Sequence, residues 1–266
     1  MTSPMLDSPW FLSAGTRSAP AARVFCFPPA GGNPRTFLGW QPDMGADAEI
    51  VAVCVPGRAH RCEEPSPATV GELADGAAAA IAAHAGLPVY LFGHSLGGLL
   101  AFEVARRLRG LPALRHLVVS GCAAPRLNPS DYIVWSNTNH GRAFAVEAAS
   151  FLGLSAEFAA ADEEVQDLLL ADMREDVRLL AEYRYRPQAP LSVGVSLICG
   201  RDDPHVDGPG LTAWREECET VPECHWTEGD HFYLDKRPTA VTDVLRPLVL
   251  GGTGGAAPSQ QHVEVI

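Results

Sequence analysis

The sequence has no long apolar run. Nothing in it approaches the ~20 residues needed to span a bilayer, and its longest low-polarity stretch, Gly76 to Ala85, is alanine-rich and reads as helix. The first ten residues, Met1 to Trp10, hold neither the basic nor the apolar segment of a signal peptide, so none is expected. Positive charge is also scarce: 20 Lys+Arg against 32 Asp+Glu leave a net charge of −12. Proteins that grip nucleic acid displace counterions with a basic footprint, so that role is not expected here. The seven cysteines (Cys26, Cys54, Cys62, Cys122, Cys199, Cys218 and Cys224) form no C-x-x-C pair and are odd in number. Several lie inside apolar runs, where Cys behaves as a small hydrophobe, and a reducing cytoplasm is the expected location. No His pair at i,i+4 suggests a metal, and neither a Walker A sequence nor G-x-G-x-x-G suggests a nucleotide. No cofactor is expected.

What the chain does have is an alternation of short apolar runs with helical patterns. Strands are expected at Val24–Phe27, Ile50–Val55, Val89–Phe92, Leu114–Ser120 and Val193–Cys199, with a short one near His225 and Trp226. Between them lie a helix capped by Thr69 that runs to about Ala85 and another from Leu96 to Leu108. Two more are expected near Leu211–Cys218 and Thr239–Val249. Near-continuous apolar strands alternating with helices imply a mostly parallel central sheet flanked by helices, an α/β fold. Residues 126–187 break the rhythm with two helical stretches, about Arg142–Leu152 and Asp162–Tyr185, and no strand between them. The second places Val165, Leu169, Met173, Val177 and Leu180 on one stripe. The expected organisation is an N-terminal extension over 1–20, a core over 21–125 and 188–250, a helical lid over 126–187 and a disordered tail over 251–266.

The chemistry centres on Gly93-His94-Ser95-Leu96-Gly97, a G-x-S-x-G between an apolar strand and a helix. That setting is a nucleophile elbow, in which glycines clear space around a sharply turned serine. A serine hydroxyl needs a base, and the base needs an orienting acid. Asp202 and Asp203 follow the fifth strand, and Asp203 is preferred because it lies beyond the last pleat. His231, in Glu228-Gly-Asp-His231, supplies the base. Ser, Asp, His is the chain order of α/β-hydrolases. An oxyanion hole needs two N–H groups aimed at one point. Leu96 is one expected donor. Ala30, in Phe27-Pro-Pro-Ala-Gly-Gly32, is the other, with Gly31 as fallback.

Taken together, Phe27–Gly32, Val55-Pro-Gly-Arg58 with Arg61, Gly93–Gly98, Tyr183-Arg-Tyr-Arg-Pro187, Gly200–Asp203 and Gly229-Asp-His-Phe232 resemble the type II thioesterases of polyketide synthases and nonribosomal peptide synthetases. The resemblance implies an α/β-hydrolase fold with a helical lid. It also implies hydrolysis of aberrant or stalled acyl groups on the phosphopantetheine arms of acyl or peptidyl carrier proteins. It carries over Ser95, Asp203 and His231 as the triad and Ala30 and Leu96 as oxyanion donors. Pro29 and Asn33-Pro34-Arg35 depart from the family's usual residues, which bears on entrance shape. A carboxylesterase, an acyl-CoA thioesterase, a chain-terminating cyclase or a non-catalytic receptor on the same fold are the alternatives. Against an acidic carrier the net charge is repulsive, so docking is expected to need apolar contact or a local basic patch, for which Arg17, Arg23, Arg58, Arg61, Arg184 and Arg186 are candidates.

Overall fold

The structure, a computed structural model, describes residues 8–15, 19–127, 155–251 and 263–265. Eight strands form one sheet: β1 Phe11–Ser13, β2 Ala22–Phe27, β3 Ala48–Val53, β4 Val89–His94, β5 Leu114–Ser120, β6 Gly194–Gly200, β7 Glu223–Thr227 and β8 Val263–Val265. Their order is β1-β3-β2-β4-β5-β6-β7-β8. The six inner strands run parallel, whereas β1 pairs antiparallel with β3 and β8 with β7.

Consecutive side chains on a strand point to opposite faces, and both faces are covered here. Phe25, Phe27, Leu91, Leu117 and Val119 pack with the helices α2 Val70–Ala83 and α3 Leu96–Arg107. Val24, Cys26, Tyr90, Phe92 and Val118 face Phe37, Trp40, Tyr233, Val241 and Leu245 on the other side. This is why the central strands read as near-continuous apolar runs rather than alternating ones. Thr69 caps α2 as expected, its hydroxyl accepting the Glu72 N–H at 3.1 Å. Five of the seven cysteines are buried, and all seven are free thiols. Burial pushes the Cys54 thiol up to about 11.

Three expectations needed correction. The segment before residue 20 is not a mere extension, because Phe11–Ser13 pairs with Val51–Val53 and buries Phe11 against Phe25. The tail is not wholly irregular, because Val263–Val265 pairs with Glu223–His225. The stretch Asp162–Tyr185 is two helices, Glu163–Leu169 and Ala171–Glu182, separated at Leu170. The break lets Leu170 turn inward and become fully buried. The stripe holds in the second helix, where Met173, Val177 and Leu180 are buried, but Val165 is exposed. The expected helix Arg142–Leu152 lies outside the described residues. Among the described residues, no helix is long and apolar enough to cross a membrane.

The chain's strand order reverses between β2 and β4, since β3 lies on one side of β2 and β4 to β7 on the other. In open α/β sheets, such a switch point opens a crevice at the carboxyl ends of the strands. The loop after β2 and the turn after β4 meet there.

Candidate active site

Ser95 occupies the turn between β4 and α3 with φ 55° and ψ −120°, a left-handed conformation that L-residues rarely adopt. Two close approaches require glycine beside it. A Cβ on Gly93 would run into the Gly97 carbonyl, and one on Gly97 into the carbonyls of Phe27 and Pro28. The β2 loop is thus pressed directly onto the first turn of α3. The Ser95 N–H donates to the Ser120 carbonyl at 2.9 Å, anchoring the turn to β5. From Gly93 to Leu100, Ser95 alone is half-buried and the rest are buried, so the hydroxyl-bearing residue is the one that meets solvent.

The acid–base pair is held at the ends of β6 and β7. These strands pair in parallel up to Gly200 and Thr227, and their loops stay joined beyond. The Arg201 N–H donates to the Thr227 carbonyl and the Asp202 N–H to the Gly229 carbonyl. That zipper brings Asp203 Oδ2 to 2.8 Å from His231 Nδ1. The other Asp203 oxygen accepts the His205 N–H at 2.8 Å. Both carboxylate oxygens are therefore fixed, and the side chain is fully covered. Asp202 points into solvent instead. With Nδ1–H donated to the carboxylate, the basic nitrogen of His231 is Nε2. The His231 ring stacks 4.9 Å from that of His94, the residue preceding Ser95. It also lies against Gly121, at the end of β5.

Past β2, the Gly32 N–H donates to the Pro29 carbonyl at 2.9 Å, closing a tight turn with Ala30 and Gly31 at its centre. Gly31 has φ 66°, the conformation that favours glycine at the third place of a type II turn. The Gly31 N–H is taken: it donates to Asp176 Oδ2 at 2.8 Å. Ala30 remains the candidate donor from this loop.

Residues 22–248 match the family model for the thioesterase domain. The chain belongs to the thioesterase domain family. It is a serine hydrolase acting on thioester bonds, with the α/β-hydrolase fold. Among solved structures, it is similar to the thioesterase RedJ of the prodiginine pathway in Streptomyces coelicolor. The TM-score is 0.75 at 31% identity, over 94% of this chain and 93% of that one. It is also similar to the type II thioesterase BorB from the borrelidin biosynthetic cluster, with TM-score 0.72 and 27% identity over 90% and 97% of the two chains. Among curated relatives, the antimetabolite synthetase AmbE of Pseudomonas aeruginosa is 32% identical over 94% of this chain. The thioesterase spans only 12% of AmbE.

In the thioesterase, the Tyr183–Pro187 motif fastens the segment after the helix Ala171–Glu182 to α3. The Tyr183 hydroxyl donates to Glu103 Oε1 on α3 at 2.8 Å, and Arg106 pairs with the same carboxylate at 2.8 Å. Arg106 also donates to the Arg186 carbonyl and lies over the Tyr185 ring. The expected basic patch largely dissolves. Arg23 forms a buried ion pair with Glu49 at 2.8 Å. Arg61 pairs with Glu64 and covers the Trp10 ring, and Arg58 pairs with Asp176 at 2.8 Å. Arg17 lies outside the described residues, which leaves Arg184 and Arg186 exposed.

Two further groups support the thioesterase site: His94, whose place beside the nucleophile suggests packing or hydrogen bonding within the elbow, and Asp176. His94 Nδ1 shares a hydrogen bond of 2.7 Å with Ser120 Oγ, which contacts the Tyr233 hydroxyl at 2.5 Å. Asp176 had a visible signal: it lies three residues after Met173 and four before Leu180, an acid on the buried stripe of its helix.

Burial holds His94 well below the ordinary imidazole value, and the neighbouring His231 adds to this. Burial, with His225 nearby, takes His116 down to about 4, and His225 is itself lowered by burial. In the unfolded chain these rings take up protons near the ordinary imidazole value of 6.5, while in the folded thioesterase all three take them up only at lower pH. Below that pH the unfolded state binds more protons, so stability falls as pH falls, by at most about 1.4 kcal/mol per pH unit for a ring that stays neutral in the fold. The melting temperature is expected to drop between pH 7 and pH 5, and His116→Gln to flatten the drop by about one proton. An unchanged slope in that variant would show that His116 titrates freely in the folded enzyme.

Proposed function

We propose that this thioesterase hydrolyses acyl groups from the phosphopantetheine arms of carrier proteins, clearing aberrant or stalled chains in a polyketide or nonribosomal peptide pathway. The observation that carries the reading is the match to BorB, a type II thioesterase from a biosynthetic cluster, across nearly the whole of both chains. The free thiols fit a reducing cytoplasm.

The catalytic assignment is Ser95 as nucleophile, His231 as base and Asp203 as the acid that orients it. Ser95 Oγ attacks the acyl carbonyl as its proton passes to His231 Nε2. The negative charge that forms on the carbonyl oxygen is met by the N–H groups of Ala30 and Leu96, the latter at the positive end of α3. Collapse breaks the carbon–sulfur bond, and His231 returns the proton to the departing pantetheine sulfur. A thiolate leaves readily, so acid assistance matters less here than in amide cleavage. Water, deprotonated by His231, then attacks the acyl-enzyme and frees the carboxylic acid and Ser95. These steps use side chains, backbone and water alone.

The test compares one acyl group on a carrier protein, on coenzyme A and on p-nitrophenol. The carrier-bound thioester should have the highest kcat/KM, by at least about tenfold. Equal turnover of all three would make the chain a general acyl esterase.

A further inference from the structure

One carboxylate joins the lid to the loop after β2. Asp176 lies mid-way along the lid helix Ala171–Glu182 and is buried. Its Oδ2 accepts the Gly31 N–H at 2.8 Å, and its Oδ1 accepts Arg58 Nη2 at 2.8 Å. The same Arg58 nitrogen donates to the Asp172 carbonyl at 3.0 Å, and Arg58 Nη1 donates to the Gly57 carbonyl at 3.1 Å. Arg58 is thus shared between the loop after β3 and the lid, with its side chain only 11% exposed. Met173, Val177, Leu179 and Leu180 of the same helix pack into the core cluster that holds Ala30 and Leu96.

The turn Pro29–Gly32 has two central N–H groups. Holding the Gly31 N–H fixes the peptide plane between Ala30 and Gly31, and with it the orientation available to Ala30. The opposite face of the loop is fixed by Gly97, on which the Phe27 and Pro28 carbonyls rest. The turn is therefore clamped from the elbow on one side and from the lid on the other. A bare carboxylate one residue from an oxyanion donor would oppose the charge that develops there. Arg58 removes that opposition by pairing with it.

We propose that Asp176, neutralised by Arg58, is a positioning residue that makes the oxyanion loop depend on the seating of the lid helix. With the helix docked, the Gly31 N–H is occupied and the Ala30 N–H faces the reacting carbonyl. With the helix displaced, the turn loses its second clamp and the donor is misaimed. This inference rests on the assignment of Ala30 to the oxyanion hole made above.

The experiment measures Asp176→Ala and Asp176→Asn with an aryl ester and an acyl-CoA, active sites being counted with a fluorophosphonate. Losing an oxyanion donor costs about 10²–10³ in kcat, and misaiming one should cost about 10–10². The alanine variant is expected to lose that much kcat per active site with little change in KM. The asparagine variant, which keeps one acceptor oxygen for Gly31, should fall between it and the parent. Affinity for a trifluoromethyl ketone, whose serine adduct places an oxyanion in the hole, should fall in step with kcat/KM. Affinity for the carboxylic acid product should not. A purely structural role would lower melting temperature and the count of active sites but leave kcat per site and ketone affinity unchanged, and that result overturns the proposal. Should the alanine variant fail to accumulate, the near-isosteric asparagine carries the test. A fall in both readouts supports the proposal, and parental values overturn it. Activity surviving in Ser95→Ala would instead strike the site assignment, so the two failures are distinguishable.

Discussion

Replacing Ser95 with alanine is expected to lower kcat for thioester hydrolysis by about 10⁶-fold, the loss seen when a serine hydrolase is deprived of its nucleophile. The fold should tolerate the change. Alanine meets the same backbone demand as serine at φ 55°, and the anchoring bond from residue 95 to the Ser120 carbonyl is a main-chain one. The variant should therefore melt close to the parent while failing to react with a fluorophosphonate. Hydrolysis near the parental rate in a folded variant would place the nucleophile elsewhere.

Asp203→Asn is expected to cost about 10⁴-fold in kcat, the size of the loss when a triad aspartate is converted to its amide. The geometry gives the reason. The His205 N–H already points at Oδ1 of residue 203, so the amide oxygen of an asparagine will turn towards that donor. Its NH₂ then faces His231 Nδ1, which must accept rather than donate. The imidazole proton moves to Nε2, and the ring can no longer take the Ser95 proton. Asp202→Asn, at an exposed position, should stay within a few-fold of the parent, since surface changes of this kind rarely exceed about 0.5 kcal/mol. The reverse ranking in steady-state assays would move the orienting role to Asp202.

Much of this layout is legible in the chain itself. The central strands are near-continuously apolar because both faces are packed, and such runs survive as signals even without periodicity. The serine turn was legible because its crowding demands glycine at 93 and 97, and sequence records that demand directly. Asp203 was separable from Asp202 only by its place beyond the last pleat of β6, a weak cue that the loop zipper turns into a contact. Other features leave little trace. Strands of three residues, as in β1 and β8, carry too few side chains to show a pattern. The break at Leu170 depends on a tertiary cavity that accepts that one side chain. The arginines showed that charge in a sequence does not reveal whether it faces solvent. Arg23, Arg58 and Arg61 are by sequence candidates for a basic patch and serve instead as internal ties. Asp176 stands out as an acid on the apolar stripe of its helix, but the chain alone does not show which N–H and which arginine it meets.

The two short antiparallel strands have a practical meaning for anyone handling this molecule. Each shields a margin of the sheet that would otherwise present a bare row of amides and carbonyls, an open template for a neighbouring chain. Trimming either end to obtain a tidier fragment would strip β1 from β3 or β8 from β7. Shortened preparations should therefore be watched for self-association, even where hydrolytic competence is fully retained.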